Sequence, residues 1–169
     1  MAGGMRSTLT DEFWRGYRDA AGLQHDDYDV VAFGNGPDMA TELAELTIAG
    51  IKRATAGLLR QFGPGKESPP VLGGYVVLLD GADRPRAIWR TIELRTGPLN
   101  SVDERFAWDE GEGERTREWW LSAHRGFFGR YAAAEGFSMH DEIETVFERF
   151  EILWPPEIAD ARLTRAEAT

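Results

Sequence analysis

The stretch Gly50-Ile51-Lys52-Arg53-Ala54-Thr55 joins a helical pattern to an extended one. Upstream, Asp38 is placed to cap a helix on which Met39, Leu43 and Leu46 form one apolar face. Gly50 fits just past the end of that helix, where only glycine adopts the left-handed conformation without steric cost. Downstream, residues 51–59 read as an extended exit. Lys52 and Thr55 are three apart, and on a regular strand such positions face opposite sides. The two converge only if the chain is turning, and Gly50 supplies a turn.

Outward from this stretch, Thr10 is a suitable N-cap for a first helix running to about Ala21, with Phe13, Trp14 and Tyr17 on one face and Gly22 as its stop. Residues 30–33 form a short strand, ended by Gly34-Asn35-Gly36-Pro37. Residues 62–70, with two glycines and three prolines, are a loop. Strands follow at 75–79 and 87–95, joined by Asp80-Gly81-Ala82-Asp83. In the second, Ile88, Ile92 and Leu94 alternate with Trp89, Thr91 and Glu93. Residues 100–114 are an acidic, glycine-bearing stretch, of which 109–114 reads as a solvated loop. Thr116 opens the longest helix, with Trp120, Ala123, Phe127 and Tyr131 at intervals of three and four, until Gly136. The last strand is 144–154, and Pro155-Pro156 ends it. These elements divide the chain into a helical extension (1–24), one domain (25–156) and a polar, frayed tail (157–169). The class is α+β, and strands that pair non-locally around one core favour a small barrel over a doubly wound parallel sheet.

A length of 169 residues suits one domain, and 42% hydrophobic content with six tryptophans suffices for a core. The absence of cysteine excludes disulfides, thiolate catalysis and cysteine-ligated zinc. No apolar run approaches the roughly 18 residues of a membrane span, and residues 1–10 carry no signal-peptide pattern, so a cytoplasmic setting with no membrane partner is expected. The net charge of −10 opposes bulk electrostatic binding to long nucleic acid. Its distribution is uneven: −6 over residues 1–50, +4 over 51–100 and −8 over 101–169. The basic middle third is suited to a local anion-binding face.

Several motifs fail on spacing. Gly63-Pro64-Gly65-Lys66 lacks the first glycine of a phosphate loop, with Arg60 in its place, and Glu67 stands where Ser or Thr is required. Gly34-Asn35-Gly36 has Met39 in place of the third dinucleotide-binding glycine. A calcium loop starting at Asp109 or Glu110 puts Glu114 or Arg115 where glycine is needed. His25, His124 and His140 have no ligand spacing, and Ser122 and His124, two apart on a helix, face different ways. No cofactor is expected, although a divalent metal is left open.

Gly-x-Lys-x-x-Thr after an amphipathic helix resembles the signature of the ASCH family, within the PUA-like superfamily. Met39–Leu46 resembles the helix before that motif, Leu78-Leu79-Asp80-Gly81 with Arg84-Pro85 the hairpin, and Trp89–Glu93 the next strand. Phe106–Glu114, then Trp119-Trp120 and His124–Phe128, resembles the acidic loop and helix of the longer members, and Phe147–Glu151 the closing strand. The likeness runs from about Phe33 to Leu153. It departs at Gly73-Gly74-Tyr75, where Gly-Asp is common, and at Ile51, where a second basic residue is common. The resemblance implies a PUA-like barrel of about six strands, with the lysine motif at a cleft and RNA, or a pyrimidine nucleoside or nucleotide, as ligand. It also implies hydrolysis, of the N4-acetylcytidine amide in small members and of RNA in the longer group. Carried over by residue, the catalytic set is Lys52, Thr55 and Glu110, with Glu112 close enough to compete for the acidic role.

Such a trio has independent chemical sense. A partly desolvated lysine amine acts as base or nucleophile, a threonine hydroxyl needs a neighbouring base, and a carboxylate can relay a proton. Arg53 and Arg90 are candidates to hold phosphate, and Tyr75 and Trp89 to stack on a base. The alternative reading of the same pocket is a non-catalytic RNA- or nucleotide-binding module.

Overall fold

Apolar, β-branched and aromatic runs make the strands of this protein, and capped amphipathic segments make its helices. The structure, a computed structural model, describes residues 2–160. In chain order the elements are β1 (Ala2–Gly3), α1 (Thr8–Ala21), β2 (Asp29–Ala32), α2 (Pro37–Ile48), β3 (Ala54–Leu58), β4 (Tyr75–Leu79), β5 (Pro85–Pro98), α3 (Glu104–Glu110), α4 (Arg117–Glu135) and β6 (Glu144–Trp154). The strands form one mixed sheet in the order β1-β2-β4-β5-β6-β3. β2 runs parallel to β4, and the other neighbouring pairs are antiparallel. Five strands curl into a half-barrel, β1 adding two residues at one edge and β3 closing the other. This is the expected α+β, PUA-like architecture.

The half-barrel encloses its core in three clusters. One lies under β3, α3 and α4, around Phe106, Trp120, Phe128 and Phe147. A second stacks Phe33, Trp89 and Phe150, with 5.4 Å between the first two ring centroids and 4.3 Å between the last two. The third holds Trp14 and Tyr17 of α1 against Val77, Leu79 and Ile88, so the N-terminal helix is packed into the sheet.

Several local expectations are corrected. The cap of α1 is Ser7, not Thr10: the two form a capping box, each side chain accepting the other's backbone N–H, at 3.2 and 2.8 Å. Gly36, not Asp38, precedes α2, with Pro37 at the first helical position and Asp38 in the first turn. The acidic run 109–114 is not all loop, because Asp103 caps the Phe106 N–H and starts α3, which takes in Asp109 and Glu110. The alternation in β5 is broken by irregularities at Ile88/Trp89 and Thr91/Glu93, which bury both Ile88 and Trp89 and leave Ile92 52% exposed. The polar tail is not frayed where it begins. Ile158 packs on the second cluster, and Asp160 accepts the Ile152 N–H and pairs with Arg53. Residues 161–169 of that predicted tail lie outside the described residues.

Candidate functional site

Gly50 takes φ 83°, and the Ile51 and Lys52 amides both return to the Leu46 carbonyl, at 3.0 and 3.1 Å. The chain is therefore still closing α2 when it reaches Lys52, and β3 begins only at Ala54. That turn resolves the facing problem, because Lys52 precedes the strand on which Thr55 sits. Thr55 pairs directly with Glu148 across the β3–β6 ladder.

The carboxylates come from the other side. The Arg53 amide donates to the Asp109 carbonyl at 2.6 Å, and Arg149 of β6 grips the Asp109 carboxylate at 2.9 Å. Gly111 ends α3 in the left-handed conformation and lies so close to Ile51 that a Cβ there would sit 2.7 Å from the Ile51 carbonyl oxygen. A larger residue would push α3 off the Lys52 segment. Glu110 is thus the last residue of a helix rather than a loop acid, and Glu112 follows one residue after the cap.

Lys52 is 1% exposed. Its ammonium donates to Glu112 Oε2 at 2.9 Å and to the Glu110 carbonyl at 3.3 Å, and lies 3.6 Å from Glu110 Oε1. Nζ also stands 5.0 Å from the centre of the Phe33 ring. The Trp120 indole N–H donates to Glu110 Oε2, and His124 Nε2 sits 3.2 Å from Oε1. His124 Nδ1 faces the Trp120 carbonyl at 2.8 Å, so both ring nitrogens lie against oxygens. Burial works to raise the Glu110 carboxyl, but His124 and Lys52 beside it, with hydrogen bonds from His124 and Trp120, bring it down to about 2. Burial pushes the Glu112 carboxyl up, against the pull of Lys52.

These groups line a cavity of about 410 Å³, floored by Lys52, Thr55, Glu110 and Glu112. The α4 wall brings His124 and Phe127, with Arg130 beside them, and Phe33 and Met39 close the opposite side. A largely apolar chamber with a few convergent polar groups is the usual form of a small-molecule site. Among the described residues no group of three or more His, Cys, Asp or Glu is placed to hold a metal.

The structure brings Lys52, Thr55, Glu110 and Glu112 together and keeps the other expected ligand residues out of the cavity lining. Trp89 is fully buried, packed on both Phe33 and Phe150, with no face free for a base. Tyr75 packs against Trp14 and Tyr17 in the third cluster, Arg90 is exposed on β5, and Arg53 pairs with Asp160 at 2.7 Å. Sequence reasoning missed His124 and Trp120 as site residues. Their i, i+4 spacing puts them on one helical face, but nothing in the chain says that Glu110 lies opposite.

Fold and site define a PUA-like domain whose lysine motif and acidic helix end meet in one cavity. The ASCH domain family model matches residues 29–154, and the chain belongs to that family, whose fold is often associated with RNA binding. An ASCH domain structure from Lactobacillus crispatus JV V101 is similar, with 25% identity, a TM-score of 0.78, and coverage of 90% of this chain and 98% of that one. A structure of a protein from Enterococcus faecalis V583 is similar at 31% identity and TM-score 0.74, covering 83% of this chain and 85% of the other. No curated protein matches the chain in sequence. No helix among the described residues is long and apolar enough to cross a membrane.

Proposed function

We propose that the cavity takes a pyrimidine nucleoside, free or as a nucleotide of RNA, and hydrolyses the amide of a modified base such as N4-acetylcytidine. The observation that carries this reading is Lys52: a fully buried ammonium at the floor of a nucleoside-sized chamber, with Thr55 in the same wall and two carboxylates in reach. The cavity volume of about 410 Å³ and the net charge of −10 favour one base over a length of polymer. In the reaction, Lys52 gives a proton to a neighbouring carboxylate and the free amine takes the Thr55 hydroxyl proton. Thr55 Oγ attacks the acetyl carbon, the C–N bond breaks, and the cytosine N4 leaves with a proton. Water then releases acetate from Thr55 by the same transfers in turn.

One observation favours a second reading, a module that binds without turnover. Lys52 is already held by two carboxylates and a carbonyl, contacts that fix it as an anchor of the cavity floor. The test is to incubate the pure protein and its Lys52→Ala form with N4-acetylcytidine and with short single-stranded RNA. Cytidine release that disappears with Lys52 supports the hydrolase, cleavage of the RNA strand moves the chemistry to the phosphodiester, and binding without product supports the module.

A further inference from the structure

The charged groups on the cavity floor answer one another: Lys52 faces Glu110 and Glu112, and His124 faces Glu110. Arg130 lines the same cavity and is exposed, and among the described residues its guanidinium has no ion pair and no hydrogen bond. The other arginines of α4 are engaged, Arg117 with the Val102 and Asn100 carbonyls and Arg125 with Asp141. In a chain of net charge −10, a cation on a cavity wall with no carboxylate against it is open to an anion from outside.

Trp119, Ala123, Gly126 and Arg130 follow one another at intervals of four, three and four, so they form one stripe of α4, and all four line the cavity. Gly126 is the costly member, since glycine weakens a helix interior. No packed neighbour requires it. Beyond the helix's own backbone, a Cβ there would meet within 4 Å only Arg130 Nη1, at 3.5 Å. The bare position clears the wall between the floor and Arg130, and the guanidinium leans back over it, as long side chains on a helix do. His124 leans back in the same way on Trp120, with ring centroids 3.7 Å apart, where it meets Glu110. From the level of Trp120 to that of Gly126 the helix rises about 9 Å. The 4-amino group and the 5′-phosphate of a cytidine nucleotide are separated by a span of that order.

We infer that Arg130 is the phosphate-binding residue of the cavity and that the ligand is a pyrimidine nucleotide bearing a 5′-phosphate. The base lies on the Lys52 floor, the sugar along Gly126 and the phosphate at the guanidinium. The inference rests on the reading of the cavity as a nucleoside site and adds the anionic end of the ligand. A planar guanidinium gives two parallel N–H bonds to phosphate oxygens, a geometry that a ribose hydroxyl does not match. The phosphate is either the monoester of a free nucleotide or the diester that precedes a cytidine in a strand.

The experiment measures binding of cytidine, 5′-CMP and the dinucleotide ApC by calorimetry, with wild type, Arg130→Gln and Arg125→Gln. Wild type is expected to bind 5′-CMP on the order of tenfold tighter than cytidine, an advantage that shrinks as salt rises. Arg130→Gln should lose that advantage and keep its affinity for cytidine. Arg125→Gln removes the same charge from α4 outside the cavity lining and should keep both. ApC bound as tightly as 5′-CMP assigns the subsite to a strand, and 5′-CMP bound more tightly than ApC assigns it to a free nucleotide. Equal wild-type affinity for cytidine and 5′-CMP overturns the inference and leaves the nucleoside reading standing. So does an advantage that survives Arg130→Gln, or one lost equally with Arg125→Gln. A wild type that binds none of the three overturns both.

Discussion

Glu110 and Glu148 are buried alike, at 2% and 1% exposure, and their carboxyls move in opposite directions. Glu110 has His124 and Lys52 beside it and falls to about 2. Glu148, on β6 behind Thr55, has neutral donors. Thr91 Oγ1 and the Trp89 indole both give to its Oε2, at 2.7 and 3.2 Å, while its Oε1 has no partner among the described residues. Burial pushes that carboxyl up to about 7, with Asp29 adding to the effect and Thr91 and Trp89 opposing it. Neutral hydrogen bonds do not offset the loss of water around a charge, whereas an adjacent cation does. Glu110 stays ionised where the fold sets cations against it, as does the buried Asp80 beside Arg84 and Arg86.

Removing the cation is the strongest way to break this contrast. Lys52→Ala leaves Glu110 and Glu112 buried with less compensation, and denaturant unfolding at pH 7 is expected to show a loss of about 3–5 kcal/mol. Next comes the pH dependence from Glu148. Its folded value lies above the ordinary 4.5, so its contribution is fully present below pH 4.5 and is lost as pH rises toward 7, by roughly 3 kcal/mol. Glu148→Gln should flatten the stability curve over that window. The opposite sign holds for Glu110, whose contribution is present above pH 4.5 and lost as pH falls toward 2. That loss should be smaller than for Lys52→Ala, because Glu112 still faces Lys52 when Glu110 is protonated, and acid unfolding of Glu110→Gln should lack it. At the bottom of the scale, Asp141→Asn breaks an exposed pair with Arg125 and should leave the unfolding midpoint unchanged.

Much of this arrangement was legible in the chain. Residues 75–79 and 144–154 became strands with those bounds, and Thr116 and Gly136 cap α4 as their residue types require. Lys52 and Thr55 stood out because a helix stop, a turn and a family pattern coincide at Gly50, and Glu110 because the acidic stretch after Ala107 resembles that family's. What stayed hidden depended on tertiary contacts. Helix α3 has seven residues, too few for an apolar period to emerge among its charges. The β5 irregularities shift Trp89 into the core beside Ile88, which a period of two cannot express. His124 looked like any position on a packed helix until the Gly111 turn carried Glu110 against it. The parallel pairing of β2 with β4 spans more than forty residues, and no local signal marks it.

The most direct test of the account is a crystal structure of the protein with cytidine bound. The account predicts the pyrimidine inside the cavity, with its N4 edge within hydrogen-bonding distance of Lys52 or Glu112 and its ring beside Thr55. Cytidine seated elsewhere on the surface, with the Lys52 chamber closed to it, would contradict the account.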